Sequence, residues 1–139
     1  MKKTLAKLFA RIRVNRNKKW VNNPVEAQQK TFQKLIKSGS KTLFGADHKF
    51  QEIKNPSDFA ENVPVRDYEG LRSYIEKIVE GEEDILWPGK PIYFSKTSGT
   101  TSGAKYIPIT KESMPTHINA ALDALLTYIN YTGKADFVL

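Results

Sequence analysis

Two short apolar runs, Ile92-Tyr93-Phe94 and Tyr106-Ile107-Pro108-Ile109, flank the stretch Ser95-Lys96-Thr97-Ser98-Gly99-Thr100-Thr101-Ser102-Gly103-Ala104-Lys105. This arrangement predicts a hairpin over 92–109 whose connection is too long and polar for a two-residue turn. Loops of that length inside compact domains are often functional. Ile92 and Phe94 share one face of the first strand, and Ile107 and Ile109 one face of the second, so the expected hairpin buries both pairs together. The loop carries what a polyphosphate needs: backbone N–H groups freed by glycine, short hydroxyl donors and a terminal lysine. It is not a Walker A sequence, because Gly99 and Gly103 are four apart and Ala104, not glycine, precedes Lys105. On composition alone a Ser/Thr/Gly run is a flexible linker. Two flanking strands and a closing lysine argue for a binding loop instead.

A chain of 139 residues, 40% apolar and 27% charged, is sufficient for one domain with a core. The formal charge of +7 suggests nucleic acid until it is located. Lys2, Lys3, Lys7, Arg11, Arg13, Arg16, Lys18 and Lys19 fall in the first twenty residues with no acid among them, and the remainder is close to neutral. The basicity belongs to one terminal segment, which speaks against a nucleic-acid partner. Cysteine is absent, which excludes disulfides, thiolate zinc sites and cysteine nucleophiles and fits a cytoplasmic location. His48 and His117 are too few and too isolated for an all-histidine metal site. No run reaches the roughly 18 apolar residues of a membrane span, and Lys7 and Arg11 interrupt any secretory signal. The acid-free, Arg-containing start also matches the pattern of an organellar transit peptide.

Leu5, Leu8, Phe9 and Ile12 recur at i, i+3, i+4 and i+7, predicting a helix docked by that stripe, with a membrane-surface anchor as the alternative. Pro24 opens a second helix carrying Val25, Phe32, Leu35 and Ile36, and Ser38-Gly39 end it. From 41 to 65 the pattern is irregular, with turns at Leu43-Phe44-Gly45 and Asn55-Pro56-Ser57. Phe44, Phe50, Ile53 and Phe59 read as core, and His48 as a surface or hydrogen-bonded structural histidine. Val63-Pro64-Val65 is extended. Asp67 then caps a helix with Leu71, Ile75, Ile78 and Val79 on one face, stopped by Gly81. Asp67, Glu69, Glu76 and Glu80 read as a solvated surface rather than a carboxylate site. Trp87, ahead of Pro88-Gly89, reads as a buried lid at a strand boundary. Ile118, Ala121, Leu122, Leu125 and Ile129 define a long helix closed by Gly133; Pro115 either sits in its first turn behind Ser113 or breaks a turn begun at Thr110. Asp136-Phe137-Val138-Leu139 then begins another strand, the pattern of a fragment.

The series Thr97-Ser98-Gly99-Thr100-Thr101-Ser102-Gly103 with Lys105 and Ile107-Pro108 resembles the phosphate loop of adenylate-forming enzymes, and within them the GH3 acyl-acid amido synthetases. Leu43-Phe44-Gly45-Ala46-Asp47-His48 resembles that family's early Phe-Gly turn. Val63-Pro64-Val65-Arg66-Asp67-Tyr68-Glu69 is similar to its Val-Pro…Tyr-Glu element, and Leu86-Trp87-Pro88-Gly89 to a segment ahead of the loop in bacterial members. The resemblance spans residues 41–111. The loop departs from many adenylate-forming relatives in that only Ala104 separates Gly103 from Lys105.

The resemblance implies an α/β fold: the N-terminal fragment of a GH3-like adenylating domain, with opening helices over 1–40, an irregular segment and helix over 41–91, a loop-bearing hairpin over 92–109 and a long helix over 110–132. It implies an enzyme that activates a carboxylic acid with ATP and Mg2+ as an acyl-adenylate and passes the acyl group to an amine or amino acid. Thr97, Ser98, Gly99, Thr100, Thr101, Ser102, Gly103 and Lys105 would hold the ATP phosphates, with no catalytic residue assigned and no metal held by the protein. The adenine-binding elements, acyl pocket and mobile C-terminal domain would lie beyond Leu139, leaving the fragment inactive alone. The alternatives are an acyl-CoA ligase sharing the loop, or a non-catalytic interaction module using the basic N-terminal helix.

Overall fold

The computed structural model describes residues 2–97 and 103–136. The chain divides into two compact units, one formed by Met1–Gln28 with Glu112–Leu139 and the other by Gln29–Lys111. The secondary structure is mixed: mainly helices, with a two-stranded antiparallel sheet.

In the first unit, α1 (Lys2–Asn22) packs on α6 (Met114–Thr132). Their shared core is Ala10, Leu126, Ile129 and Ala135, with Leu122 against it. Pro115 lies in the first turn of α6, where its missing N–H leaves no bond unmade, so Ser113 rather than Thr110 precedes the helix. Gly133 ends it at φ 68°, donating to the Ile129 carbonyl as a left-handed cap.

The packing stripe of α1 differs from the one expected, and that of α6 uses only part of the apolar series that defines the helix. Leu5, Leu8, Phe9 and Ile12 are about half exposed, and the face of α1 that meets α6 carries Ala10 and Arg13 instead. On α6 the buried series is Leu122, Leu126 and Ile129, while Ile118 and Leu125 are exposed. Each helix is apolar over more than one stripe, so periodicity leaves the choice open. Polar pairing and the small size of Ala10 decide it. Arg13 donates through Nε to Asp123 and through Nη2 to Asn119 at 2.9 Å, and Lys3 reaches Asp136 at 2.9 Å.

The hydrogen bond from Arg13, against a smaller opposing effect of burial, holds the Asp123 carboxyl below its ordinary value of 3.8. A depressed carboxylate contributes stability above the unfolded value and loses it as pH falls through the folded one. The wild-type chain should therefore lose more thermal stability than Asp123→Asn on going from about pH 5 to about pH 2, as followed by circular dichroism. Parallel losses in the two proteins would show that this pair contributes nothing.

Within the second unit, α2 (Pro24–Gly39, entering from the first) is followed by α3 (Leu43–Asp47) and α4 (Pro56–Asn62). These two short helices replace the turns expected over 41–65. The Thr42 side chain accepts from the Gly45 N–H, and the Leu43 and Phe44 amides find the carbonyls of Asp84 and Ile85, so the start of α3 is satisfied. Asn55 and Asp58 form a capping box with Pro56 at the first position of α4.

Phe50 and Ile53 are buried as expected, and Phe32, Phe44, Phe50 and Phe59 form edge-to-face contacts at centroid distances of 5.9–6.2 Å. Rings in this geometry add stability beyond the area they bury. His48 is buried and stacked on Phe44; its Nδ1–H donates to the Phe44 carbonyl at 2.8 Å and its Nε2 accepts from Arg66 at 2.8 Å. It is a hydrogen-bonded structural histidine. A 3-10 turn at Glu69–Leu71 leads into α5 (Arg72–Val79), whose Ile75 and Ile78 are buried. Asp67 accepts from the Gly70 N–H at 2.9 Å, capping this turn rather than α5 itself.

The hairpin consists of β1 (Tyr93–Thr97) and β2 (Lys105–Ile109), paired antiparallel. Its register corrects one expectation. Phe94 pairs with Pro108, whereas Ile107 and Ile109 pair with Ser95 and Tyr93. Directly paired residues share a face, so Phe94 and the two isoleucines lie on opposite sides of the sheet. Phe94 meets the Tyr106 ring edge-on at 6.2 Å instead. Trp87 is half-buried rather than buried, lining a cavity of about 130 Å³ with Ile78, Ile85 and Pro108. That is far below the roughly 300 Å³ of a substrate pocket, which leaves Trp87 a packing residue.

Candidate functional site

Of the eight residues expected to hold phosphate, Thr97, Gly103 and Lys105 are described; Ser98, Gly99, Thr100, Thr101 and Ser102 lie outside the described residues, as do Phe137, Val138 and Leu139. The strand register fixes the frame of the loop. Thr97 closes β1, Lys105 opens β2, and the two are cross-strand partners. Gly103 has φ 80°, a backbone conformation that strains any side-chain-bearing residue. The glycine is thus required where the chain turns back into β2.

Lys105 does not stand alone. Its Nζ lies 5.3 Å from the centroid of the Tyr68 ring, and the Tyr106 N–H donates to the Tyr68 hydroxyl at 2.8 Å. Tyr68 comes from the turn ahead of α5, far away in sequence. Arg72 donates to both oxygens of the neighbouring Glu69, at 2.6 and 2.8 Å. That bidentate bond is the main reason the Glu69 carboxyl sits below its ordinary value; burial opposes it and the charge of Lys105 is a minor aid. Among the described residues no carboxylate pairs with Lys105. On β1, Lys96 lies 5.8 Å over the Tyr106 ring.

Sequence reasoning set Tyr68 inside a family-like element without giving it a task. No spacing rule could have found its contact, because residues 68 and 106 meet only through the tertiary fold. His48 and Arg66 are engaged in the aromatic cluster, and His117 is exposed on α6. Among the described residues no cluster of three or more His, Cys, Asp or Glu is placed to hold a metal, and no helix is long and apolar enough to cross a membrane.

Comparison with known proteins identifies the scaffold. The model of the GH3 family N-terminal domain matches residues 13–136. The chain belongs to the GH3 family. An indole-3-acetic acid-amido synthetase of Arabidopsis thaliana, GH3.15, is 40% identical over 82 residues, covering 57% of this chain and 14% of that protein. A probable indole-3-acetic acid-amido synthetase of Oryza sativa subsp. japonica is 43% identical over 58 residues, 40% of this chain and 12% of the relative. A jasmonoyl–L-amino acid synthetase of Nicotiana attenuata is 30% identical over 89 residues, 63% of this chain and 15% of the relative. This GH3 chain therefore spans only a small part of the length of these relatives. No solved structure matches it significantly.

Proposed function

We propose that this chain supplies the phosphate-binding portion of an ATP-dependent acyl-acid amido synthetase. The observation that carries the reading is the hairpin, in which Thr97 and Lys105 are paired at the two ends of a Ser/Thr/Gly stretch in a GH3 chain. The loop between them presents hydroxyls and glycine amides to the β- and γ-phosphates. Lys105 offsets the charge that grows on pyrophosphate as it leaves.

In the first half-reaction a carboxylate oxygen attacks the α-phosphorus of ATP, and the bond to pyrophosphate breaks with its electrons. In the second, an amine attacks the carbonyl carbon of the acyl-adenylate, loses a proton, and AMP departs. Mg2+, when bound with the nucleotide, neutralises phosphate charge. The contribution of this chain is positioning and electrostatic stabilisation, which dominate phosphate chemistry.

The test is acid-dependent ATP–pyrophosphate exchange, run over a panel of carboxylic acids. A full-length protein carrying this sequence as its N-terminal region should exchange, and the 139-residue chain alone should not. Exchange by the chain alone would overturn the division of labour. Its absence from the full-length protein with every acid would remove adenylation. Product analysis with amino acids against coenzyme A distinguishes amide formation from thioester formation, and amides are the expected product.

A further inference from the structure

We infer that Tyr68 is a positioning residue for Lys105, orienting the ammonium while leaving its charge unspent. This rests on the phosphate-loop reading above and assigns that loop a component outside it. Tyr68 makes two separate contacts at the start of β2. Its hydroxyl accepts the Tyr106 N–H at 2.8 Å, fixing the backbone next to Lys105, and its ring lies 5.3 Å from Nζ.

The chemistry of the ring is the reason for a tyrosine. A carboxylate within ion-pair distance would also hold the lysine, but would cancel the field an incoming polyphosphate is meant to feel. An aromatic face attracts the ammonium through its quadrupole and carries no net charge. The nearest candidate for the wrong partner is Glu69, adjacent in sequence. It is held by both arms of Arg72, which itself lies 5.9 Å over the Tyr68 ring. The turn that presents Tyr68 is set by Asp67, whose carboxylate accepts the Gly70 N–H at 2.9 Å. Three consecutive residues thus have separate tasks: Asp67 shapes the turn, Tyr68 aims Lys105, and Glu69 occupies Arg72.

A double-mutant cycle tests this in the full-length protein. Tyr68→Leu should slow exchange about tenfold, the size expected from losing one hydrogen bond and one cation–π contact. Tyr68→Phe keeps the ring and should lose only about threefold. The deciding result is the background: in Lys105→Met, adding Tyr68→Leu should cost nothing further, because residues acting as one unit are non-additive. Additive losses would reduce Tyr68 to a packing residue and overturn the inference.

A second measurement needs no turnover. In the 139-residue chain, the Lys105 ε-methylene protons, identified by their disappearance in Lys105→Met, should be shifted upfield by the Tyr68 ring current. The shift should persist in Tyr68→Phe and vanish in Tyr68→Leu. Unshifted protons in the wild type overturn the positioning role even if exchange is robust. A full-length protein that never exchanges sinks the adenylation reading, while the proton shift still decides the Tyr68–Lys105 contact.

Discussion

Replacing Lys105 by alanine should slow acid-dependent ATP–pyrophosphate exchange in the full-length protein by about 10²–10³-fold, the usual cost of removing one preorganised donor from developing charge. The effect should fall on turnover more than on the KM for the acid, since the proposed role of the lysine is toward pyrophosphate and not the acyl group. Three features support so large an effect. Lys105 is the cross-strand partner of Thr97, so the strand pairing that frames the loop also fixes where the lysine begins. The Tyr68 ring lies beside its ammonium, and among the described residues no carboxylate forms an ion pair with it. Lys105→Arg should recover only part of the rate, because a planar guanidinium replaces a compact point charge. Lys96 is the internal control. It lies on β1 over the Tyr106 ring, and Lys96→Ala should change the rate little. Equal losses for Lys96→Ala and Lys105→Ala would reduce both to a general basic field, and an unchanged rate in Lys105→Ala would remove its assignment.

The elements that could be read from sequence are those whose signals are local. Pro24 and Gly39 bound α2, Gly133 closes α6, and the apolar runs about the loop become β1 and β2. The short helices α3 and α4 were hidden because the residues that start a helix also start turns. Thr42 before Leu43-Phe44-Gly45, and Asn55-Pro56 with Asp58 three places after Asn55, are N-terminal capping signals as well as turn signals. Packing faces were harder still. The stripe Leu5, Leu8, Phe9, Ile12 has helical spacing, but spacing identifies a helix and not its neighbour, and α6 meets the face bearing Ala10 and Arg13. Strand register has the same property: the faces of Phe94 and Ile107 follow from which residues pair, a fact shared between two segments.

The candidate site divides along the same line. The proposed loop and its lysine are consecutive residues, so their candidacy can be read from the sequence alone. Tyr68 acts from 37 positions before Lys105, with a hydroxyl on one backbone amide and a ring beneath one ammonium, and only the fold brings them together. The early Phe-Gly element is a related case. Its resemblance to other GH3 chains was visible, but the need for its glycine becomes clear only from what surrounds it.

Gly45→Ala should be among the most destabilising single substitutions in the second unit. A Cβ at position 45 would meet the Gly39 carbonyl oxygen at 2.0 Å, the Gly39 carbonyl carbon at 2.7 Å and the Ser40 Cα at 3.0 Å. All three are backbone, so no rotamer change relieves the contact. The Gly39 carbonyl cannot simply yield, because it accepts from both the Thr42 hydroxyl at 2.7 Å and the Thr42 N–H at 3.0 Å. The same Thr42 hydroxyl accepts from the Gly45 N–H, so moving either chain disrupts the cap of α3. The expected loss is about 3 kcal/mol or more, at the upper end for overpacking. With about 4–8 °C per kcal/mol for a small unit, the melting temperature should fall by more than about 10 °C. Two other glycines calibrate the result. A Cβ at Gly39 would touch the Phe50 ring at 2.7 Å, a side chain that can shift, so Gly39→Ala should cost less. Gly81 has open space around it and only its φ of 99° to strain, so Gly81→Ala should cost about 1–2 kcal/mol. Thermal melts of the three variants should rank Gly45→Ala as the most damaging, and a Gly45→Ala protein as stable as Gly81→Ala would mean that α2 and α3 do not approach through their glycines.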